Sequence, residues 1–268
     1  MPRINCAARL TVSIAGVLAA VAITTTMDAT GLSAFSALPL CPLMLLLRYF
    51  QRISWRRMGF VWGQWRHYGL AIVYPLVVLG VLALISAAMK TVDVSHTHWG
   101  KAGINFGLIS VSTILVAIVT EEGFFRGWFW ASLEQVGEKR GRILIWSSVA
   151  FALWHLSAVV LNTGFNPPPA QVPVFMINAA VIGAIFGLLR WMSGSVIVAS
   201  LSHGLWNGGA YALFGFGIKT GALGIKNAAM YGPEIGLIGL ALNVMFVVAL
   251  WALVRRACGR SARTENPA

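Results

Sequence analysis

The first candidate site in this chain is a group of three ionisable residues inside a long apolar stretch. Glu121, Glu122 and Arg126 occur in the segment TEEGFFRGWFW. On membrane-insertion scales an ionised side chain at mid-span opposes insertion by roughly 2.5–3.5 kcal/mol, whereas a leucine favours it by only about 0.3–0.6 kcal/mol. Packing does not require such groups, so the cluster indicates a functional site. The alternative is an ion-paired cluster that only ties helices together.

Helical spacing assigns different roles to the two glutamates. Glu122 and Arg126 are four residues apart, so they share a helix face and can form an ion pair. Glu121 is rotated by about 100° from Glu122 on an α-helix and is left without this partner. Glu121 is therefore the predicted general base, the group that takes a proton from an attacking water.

Two histidines and an asparagine lie in other apolar stretches. His155 lies in FALWHL, four residues after Phe151, and His203 lies in SLSHGLWN, four residues before Asn207. At about 1.5 Å per residue, all three polar side chains lie roughly 14–20 Å from the cytoplasmic ends of their predicted spans. Glu121 lies at roughly 15 Å on the same count. The sequence therefore predicts that separate helices bring these groups to one depth, where they form one site.

The remaining sequence indicates what must position these residues. The chain has 268 residues, of which 58% are hydrophobic and 10% are charged, against about 25% charged in a typical soluble domain. We predict an all-α, polytopic transmembrane helical bundle of about eight spans. It forms a single integral membrane domain over residues 1–268, with a catalytic core at about 103–214. The predicted spans are 10–27, 31–50, 68–89, 103–131, 143–161, 173–192, 194–214 and 235–254.

The basic residues predict the orientation of the bundle. Fifteen of the 20 lysines and arginines lie before the first span, in loops 48–66 and 139–142, at Arg190 or in the C-terminal tail, whereas four lie in the other connections. Cytoplasmic loops are enriched in Lys and Arg, so both termini are expected in the cytoplasm. The net charge of +12 therefore reflects orientation and not nucleic-acid binding. Glu121 then lies in the cytoplasmic half of its span or close to the midplane. Water has its shorter polar route from the cytoplasm, so we predict a cavity that opens to that side. The basic loops around it would also attract anionic lipid headgroups or an acidic substrate segment.

The polar motifs resemble those of a known family, the CPBP intramembrane proteases. This family includes CAAX-processing enzymes and bacteriocin-processing or self-immunity (Abi-like) proteins. Its pattern is EExxxR, FxxxH and HxxxN or HxxxD, each on its own membrane helix. The chain matches all three in order, at Glu121, Glu122 and Arg126, at Phe151 and His155, and at His203 and Asn207. Outside residues 121–207 the resemblance is general, so it carries no substrate identity.

The resemblance implies an intramembrane endopeptidase that cleaves a membrane-associated peptide or protein. Glu121 and His155 would activate the water, and His203 and Asn207 would donate hydrogen bonds to the oxyanion. Arg126 would hold Glu122, and Phe151 would support His155. The predicted catalytic residues are Glu121, Glu122, His155, His203 and Asn207.

The same residues leave the use of a metal open. A metal-free glutamate mechanism is favoured, and no cofactor is expected. The alternative is a metalloprotease that binds a divalent ion such as zinc through Glu121, His155 and His203, with one open position for water. The zinc-binding helix motif H-E-x-x-H does not occur in the sequence.

Two other functions remain as alternatives. One is a non-catalytic membrane partner or immunity protein of the same family, and the other is a proton-coupled transporter in which buried Glu, Arg and His form a relay. The expected partners are a membrane-anchored protein or peptide substrate and the lipid bilayer, with no nucleic acid. The expected location is the bacterial inner (plasma) membrane, as a multi-pass protein. Asp28, Asp93 and Glu234 lie in or near external loops, and no chemistry is assigned to them.

Overall fold

The chain folds into a bundle of long apolar helices. A computed structural model describes residues 6–264, and the side chains of residues 7–256. Within this part of the chain, six helices are long and apolar enough to cross a membrane, which confirms the all-α helical membrane bundle. They are Ala7–Ala29, Trp65–Ala88, Trp99–Gln135, Arg140–Val160, Pro169–Ser193 and Leu237–Arg256.

The elements follow one another with short connections. Two π-helices occur, Glu122–Phe129 between α5 and α6 and Ala210–Phe214 after α10, and two-residue strands β1 (Gly215–Phe216) and β2 (Lys219–Thr220) pair antiparallel. Short 3-10 turns are Ser33–Phe35 and Pro169–Gln171. The α-helices are α1 (Cys6–Ala29), α2 (Leu40–Gln51), α3 (Trp55–Met58), α4 (Trp65–Ala88), α5 (Trp99–Val119), α6 (Trp130–Gln135), α7 (Arg140–Trp154), α8 (Leu156–Val160), α9 (Val172–Ser193), α10 (Val196–Gly209), α11 (Ala228–Tyr231) and α12 (Leu237–Thr264).

Two of the eight predicted spans are shorter or less regular than expected. In the predicted span 31–50, α2 has 12 residues, about 18 Å of helix, which is less than the ~30 Å apolar core. Pro39 precedes this helix and Pro42 lies in its first turn, where a missing N–H breaks no hydrogen bond of the helix. The predicted span 194–214 is the 14-residue α10, which continues as the second π-helix.

The basic loops lie together at one end of the bundle. Arg9 near the start of α1 donates a hydrogen bond to Gln135 at the end of α6. Arg190 Nη2 donates to the carbonyl oxygen of Arg57 at 3.0 Å. We call this end the basic end; it consists of residues 52–62, 136–140 and 190–195. The first turns of α1 belong to it, whereas residues 1–5 and 265–268 of the predicted cytoplasmic termini lie outside the described residues.

The remaining loops form the opposite end, called the far end, at residues 30–39, 89–98, 161–171 and 215–236. The backbone N–H of Asp93 donates to the carbonyl oxygen of Leu223 at 2.9 Å, so the second and fourth of these loops are joined. The rings of Phe165 and Phe216 stack with centroids 4.8 Å apart, which joins the third and fourth. The four remaining lysines, in or next to these loops, are thereby separated from the basic end.

The fourth predicted span, 103–131, contains a change of helix type at the acidic motif. The α-helix α5 ends at Val119, and the wider π-helix begins at Glu122. All eight residues of this π-helix are buried. Phe124, Phe125 and Trp128 are fully buried in the main hydrophobic core, so tertiary packing holds the segment in this form. Single-turn π-helices are rare and are often found at functional sites.

Helix α10 packs closely against α5 because small residues lie between them. A Cβ on Gly204 would lie 2.6 Å from the carbonyl oxygen of Ser110, and one on Gly208 would lie 2.9 Å from that of Phe106. Small residues four positions apart are typical of helices that approach closely in membranes. This contact fixes His203 and Asn207, which lie on α10, relative to the helix that leads into the acidic motif.

Candidate active site

Glu121 lies between the two predicted histidines. Its Oε2 atom is 3.9 Å from His155 Nε2 and 3.8 Å from His203 Nε2. These distances are too long for direct hydrogen bonds, but a single water can bridge polar groups at such separations. The Glu121 side chain retains 15% of its surface exposed, against 22% for His155 and 5% for His203. The structure therefore brings together three groups that lie 34 and 48 residues apart in sequence, with access for a small molecule.

His155 is presented at the end of a helix rather than within one. Helix α7 ends at Trp154 and α8 begins at Leu156, so His155 lies in the connection between them. Its Nδ1 atom lies 2.9 Å from the carbonyl oxygen of Phe151. Because a carbonyl oxygen can only accept, Nδ1 carries the proton and Nε2 faces Glu121. The rings of Phe151 and Trp154 meet the imidazole edge-on and fix its plane.

His203 contacts both glutamates. Its Nδ1 atom lies 3.1 Å from Glu122 Oε1, while its Nε2 atom faces Glu121. The imidazole stacks on Phe186 with ring centroids 4.9 Å apart and an interplanar angle of 20°. Glu122 therefore contacts both Arg126 and His203. The first contact was predicted from the sequence, but the second was not.

The predicted Glu122–Arg126 ion pair is present and completely buried. Arg126 Nη1 lies 3.3 Å from Glu122 Oε1, and both side chains have no exposed surface. Arg126 Nη2 also donates to the carbonyl oxygen of Gly183 at 2.8 Å, and the guanidinium lies 4.2 Å from the ring centroid of Phe151. Arg126 therefore connects the acidic motif to α7 and α9, the helices that carry the first histidine and much of the cavity wall.

These side chains line one end of a cavity of about 480 Å³. Glu121, His155, His203 and Asn207 all contribute to its wall, so four of the five predicted catalytic residues face the same space. Glu122 does not line the cavity; it lies behind His203. Glu122 is therefore placed to act on the site through His203, as a positioning residue.

The cavity extends to the far end of the bundle. Ala34, Thr163 and Phe216 line it, and they belong to the far-end loops. None of its lining residues comes from the basic end as described. The prediction of a cavity surrounded by the basic loops is therefore wrong. Counting residues along each span predicts how deep the polar groups lie in the membrane. It does not predict on which side of these groups side chains fill the space and on which side a cavity remains.

Glu234 is a cavity residue to which the sequence analysis assigned no role. It lies in the loop before α12, and its carboxyl group lines the same space as Glu121 and His203. Asn178 Nδ2 donates to the carbonyl oxygens of Pro233 and Glu234, at 2.8 and 2.9 Å. The loop is therefore tied to the middle of the bundle.

A chain of buried amides continues from this loop into the core. Asn243 Nδ2 donates to Asn178 Oδ1, and the hydroxyl of Tyr74 donates to Asn243 Oδ1, each at 2.9 Å. The ring of Tyr74 stacks on Trp206 of α10, with centroids 5.1 Å apart. The signal available in the sequence was the presence of Asn178 and Asn243 inside apolar helices, because a buried amide needs hydrogen-bond partners. Asn178 bonds to the loop that contains Glu234, and Asn243 bonds to Asn178.

The carboxyl group of Glu234 should make stability depend on pH. Burial raises the pKa of Glu234 from 4.5 to about 7, although Trp206, His203 and Tyr211 lower it. A raised carboxyl pKa favours the folded state below pH 4.5, and this contribution is lost as pH rises to about 7. The unfolding temperature of the detergent-solubilised protein should fall across this range, with a loss on the order of 1–3 kcal/mol.

The matched control is the variant Glu234→Gln, because a glutamine side chain does not titrate. Its unfolding temperature should change less between pH 5 and 8 than that of the wild type. If both proteins show the same pH dependence, the titrating group is not Glu234.

The sequence left the use of a metal open. Among the described residues, no group of three or more His, Cys, Asp and Glu side chains is placed to hold a metal ion. The zinc alternative on Glu121, His155 and His203 and the metal-free glutamate mechanism both stay predictions.

One comparison with known proteins gives a match. Residues 103–209 match the family model described as type II CAAX prenyl endopeptidase, Rce1-like. The matched region starts in α5 and ends with α10, so it contains all three polar motifs and falls inside the predicted core 103–214. No curated protein and no solved structure matches the chain.

Proposed function

We propose, from the premise that the central helices are those of the CAAX-type (CPBP) intramembrane protease family, that this membrane protein hydrolyses peptide bonds at the Glu121 site. The family resemblance of the three motifs is confirmed by the match over residues 103–209. The observation that carries the proposal is the position of Glu121 Oε2, 3.9 and 3.8 Å from the Nε2 atoms of two histidines at one end of a cavity.

In the proposed first step, a water molecule bridges Glu121 and His155 and attacks the scissile carbonyl carbon. Glu121 takes one proton of this water as the new carbon–oxygen bond forms. His155 directs its Nε2 lone pair at the same water, because its Nδ1 proton is held by the Phe151 carbonyl oxygen. Glu121 later returns the proton to the leaving amine as the carbon–nitrogen bond breaks, so no further acid is needed.

In the same step the carbonyl oxygen becomes negatively charged and needs hydrogen-bond donors. His203 with protons on both ring nitrogens would donate to Glu122 through Nδ1 and to the oxyanion through Nε2. Asn207, one helical turn further along α10, lines the same cavity and supplies the side-chain amide. A preorganised donor of this kind commonly contributes about 2.7–4 kcal/mol to transition-state stabilisation.

The competing functions fit this arrangement less well. A non-catalytic partner does not require Glu121 to be accessible between two histidines, as it is here. A proton-coupled transporter needs a polar path on both sides of the charged groups, whereas Phe124, Phe125 and Trp128 are fully buried on the basic-end side of Glu121. We therefore favour the endopeptidase, in a bacterial inner membrane and without an obligatory metal.

The proposal is tested by comparing the membrane proteomes of cells that express the wild type or Glu121→Ala. A membrane-anchored substrate should accumulate in its uncut form only with the variant. The same uncut protein should then be cleaved by the purified wild type, with and without a metal chelator. If no protein changes in length between the two strains, and the purified protein cleaves none of the co-purifying membrane proteins, a non-catalytic role is indicated.

A further inference from the structure

The cavity and the basic end lie on opposite sides of the catalytic groups. Glu121 and His203 line the inner part of the cavity, and Ala34 and Phe216 line its outer part among exposed far-end residues. The far-end loops also contribute Thr163 to the wall. A substrate segment therefore has a route to Glu121 from the far end.

Among the described residues, no comparable route leads to Glu121 from the basic end. On that side of Glu121 the π-helix places Phe124, Phe125 and Trp128, and none of these side chains has exposed surface. Arg126 is equally buried and is bound to Glu122 and Gly183. Buried aromatic side chains and a paired arginine fill this space, so neither water nor a peptide passes through it without displacing them.

The distribution of charge identifies which end faces the cytoplasm. Fifteen of the 20 lysines and arginines lie in the N-terminal segment, in or next to the basic-end loops, or in the C-terminal tail, and four lie in or next to the far-end loops. The positive-inside rule therefore places the basic end in the cytoplasm. The cavity then opens to the non-cytoplasmic side of the membrane.

From these observations we propose that the substrate is an exported, membrane-anchored polypeptide whose scissile bond lies near the outer boundary of the membrane. The inference rests on the proposed protease function and specifies the side from which its substrate comes. A C-terminal segment that remains in the cytoplasm would have no access to Glu121.

The charges of the cavity add a preference within this class. Three acidic residues, Asp28, Glu121 and Glu234, are among its lining residues, and no lysine or arginine of the described part of the chain is among them. Glu234 carries its negative charge only above about pH 7, so Asp28 and Glu121 supply the charge below it. An acidic residue in the bound segment would face like charges, whereas a basic residue would be attracted. The proposed segment therefore carries Lys or Arg, and not Asp or Glu, beside the scissile bond.

The side of entry is tested without any activity measurement. Single cysteines are introduced as Ala34→Cys at the rim and Ala158→Cys inside the cavity, in a protein in which Cys6, Cys41 and Cys258 are replaced by alanine. Gln64→Cys, at an exposed position next to a basic-end loop, is the matched control. In right-side-out vesicles a membrane-impermeant thiol reagent should label the first two variants and spare the control, and inside-out vesicles should give the reverse. Labelling of Ala158→Cys from the control's side would overturn the proposal and leave the protease function standing.

A second experiment uses cleavage of two matched single-span substrates in cell membranes. Both substrates contain the same membrane span and the same test peptide. Exchanging the basic residues that flank the span reverses its orientation, so the peptide faces outward in the first substrate and inward in the second. Wild type should cut only the outward peptide, and Glu121→Gln should cut neither. Cleavage of the inward peptide alone would overturn the side of entry. Equal cleavage of the outward peptide by Glu121→Gln would overturn the proposed function instead.

The charge preference is measured on the purified protein with two peptides that differ only in Lys or Glu beside the scissile bond. The Lys peptide should be cut about tenfold faster or more, because the Glu peptide places like charges together. Equal rates would overturn the preference.

Discussion

Replacing Glu121 by glutamine is expected to lower the rate of peptide-bond cleavage by about 10²–10⁴-fold while the protein still folds and accumulates. An amide has nearly the size of the carboxylate but cannot take a proton from water. Little stability should be lost, because both histidine contacts of Glu121, at 3.8 and 3.9 Å, are too long to be hydrogen bonds. The measurement is turnover by the purified variant, together with its unfolding temperature.

The matched control for this change is Glu138→Gln. Glu138 forms a surface ion pair with Arg142 at 2.9 Å, at the basic end, and such pairs contribute little to stability. It should leave turnover unchanged, whereas His155→Ala should reproduce the loss, because His155 is proposed to direct the same water. Near-normal turnover by purified Glu121→Gln or His155→Ala would show that the catalytic assignment is incorrect.

The candidate site residues could be selected from the sequence because ionisable groups are energetically costly inside apolar spans. An ionised group in an apolar span is retained only if something requires it, so Glu121, Glu122 and Arg126 stood out without structural information. The four-residue spacing also predicted the Glu122–Arg126 ion pair, which is present at 3.3 Å. Both inferences depend on local composition and spacing, which a single sequence displays.

The contact of both glutamates with His203 could not be predicted in the same way. The sequence analysis placed them about 100° apart, as on an α-helix. In the structure Glu121 directly precedes a π-helix that begins at Glu122, and the two carboxyl groups face different ring nitrogens of His203, Glu122 at 3.1 Å and Glu121 at 3.8 Å. This helix type depends on the burial of Phe124 and Trp128 among other helices, and such tertiary packing leaves no periodic signal in the sequence.

The position of Glu234 in the cavity is a second feature that the sequence did not predict. It lies in a loop between helices, where a glutamate is expected to be solvated, and no motif includes it. Its place in the cavity depends on Asn178, which lies 56 residues earlier and holds the loop through two backbone carbonyl oxygens. The end of the bundle at which the cavity opens was likewise not predictable from the sequence, because side chains from several helices fill one side of Glu121 and leave the other side open.

The second large effect is expected at the buried ion pair. Arg126→Met should reduce the free energy of unfolding by about 3–5 kcal/mol, because it leaves Glu122 buried without its cationic partner. Glu122→Gln should have a similar effect, since Arg126 then lacks a counter-charge among buried groups. Both variants should accumulate to lower levels in the membrane and unfold at lower temperature in detergent. Unchanged stability in Glu122→Gln with complete loss of activity would instead make Glu122 the catalytic glutamate.

The double variant Glu122→Gln/Arg126→Met separates this structural role from the effect on catalysis. With both charges removed, no uncompensated ion remains in the core, so the double variant should be more stable than either single variant. Its turnover should stay low, because His203 Nδ1 loses the carboxylate that holds it at 3.1 Å. Recovered stability without recovered activity is thus expected if Arg126 and Glu122 stabilise each other while Glu122 alone orients His203. Recovery of both would mean that the pair affects cleavage only through folding, and that His203 needs no anionic partner to take part in the reaction.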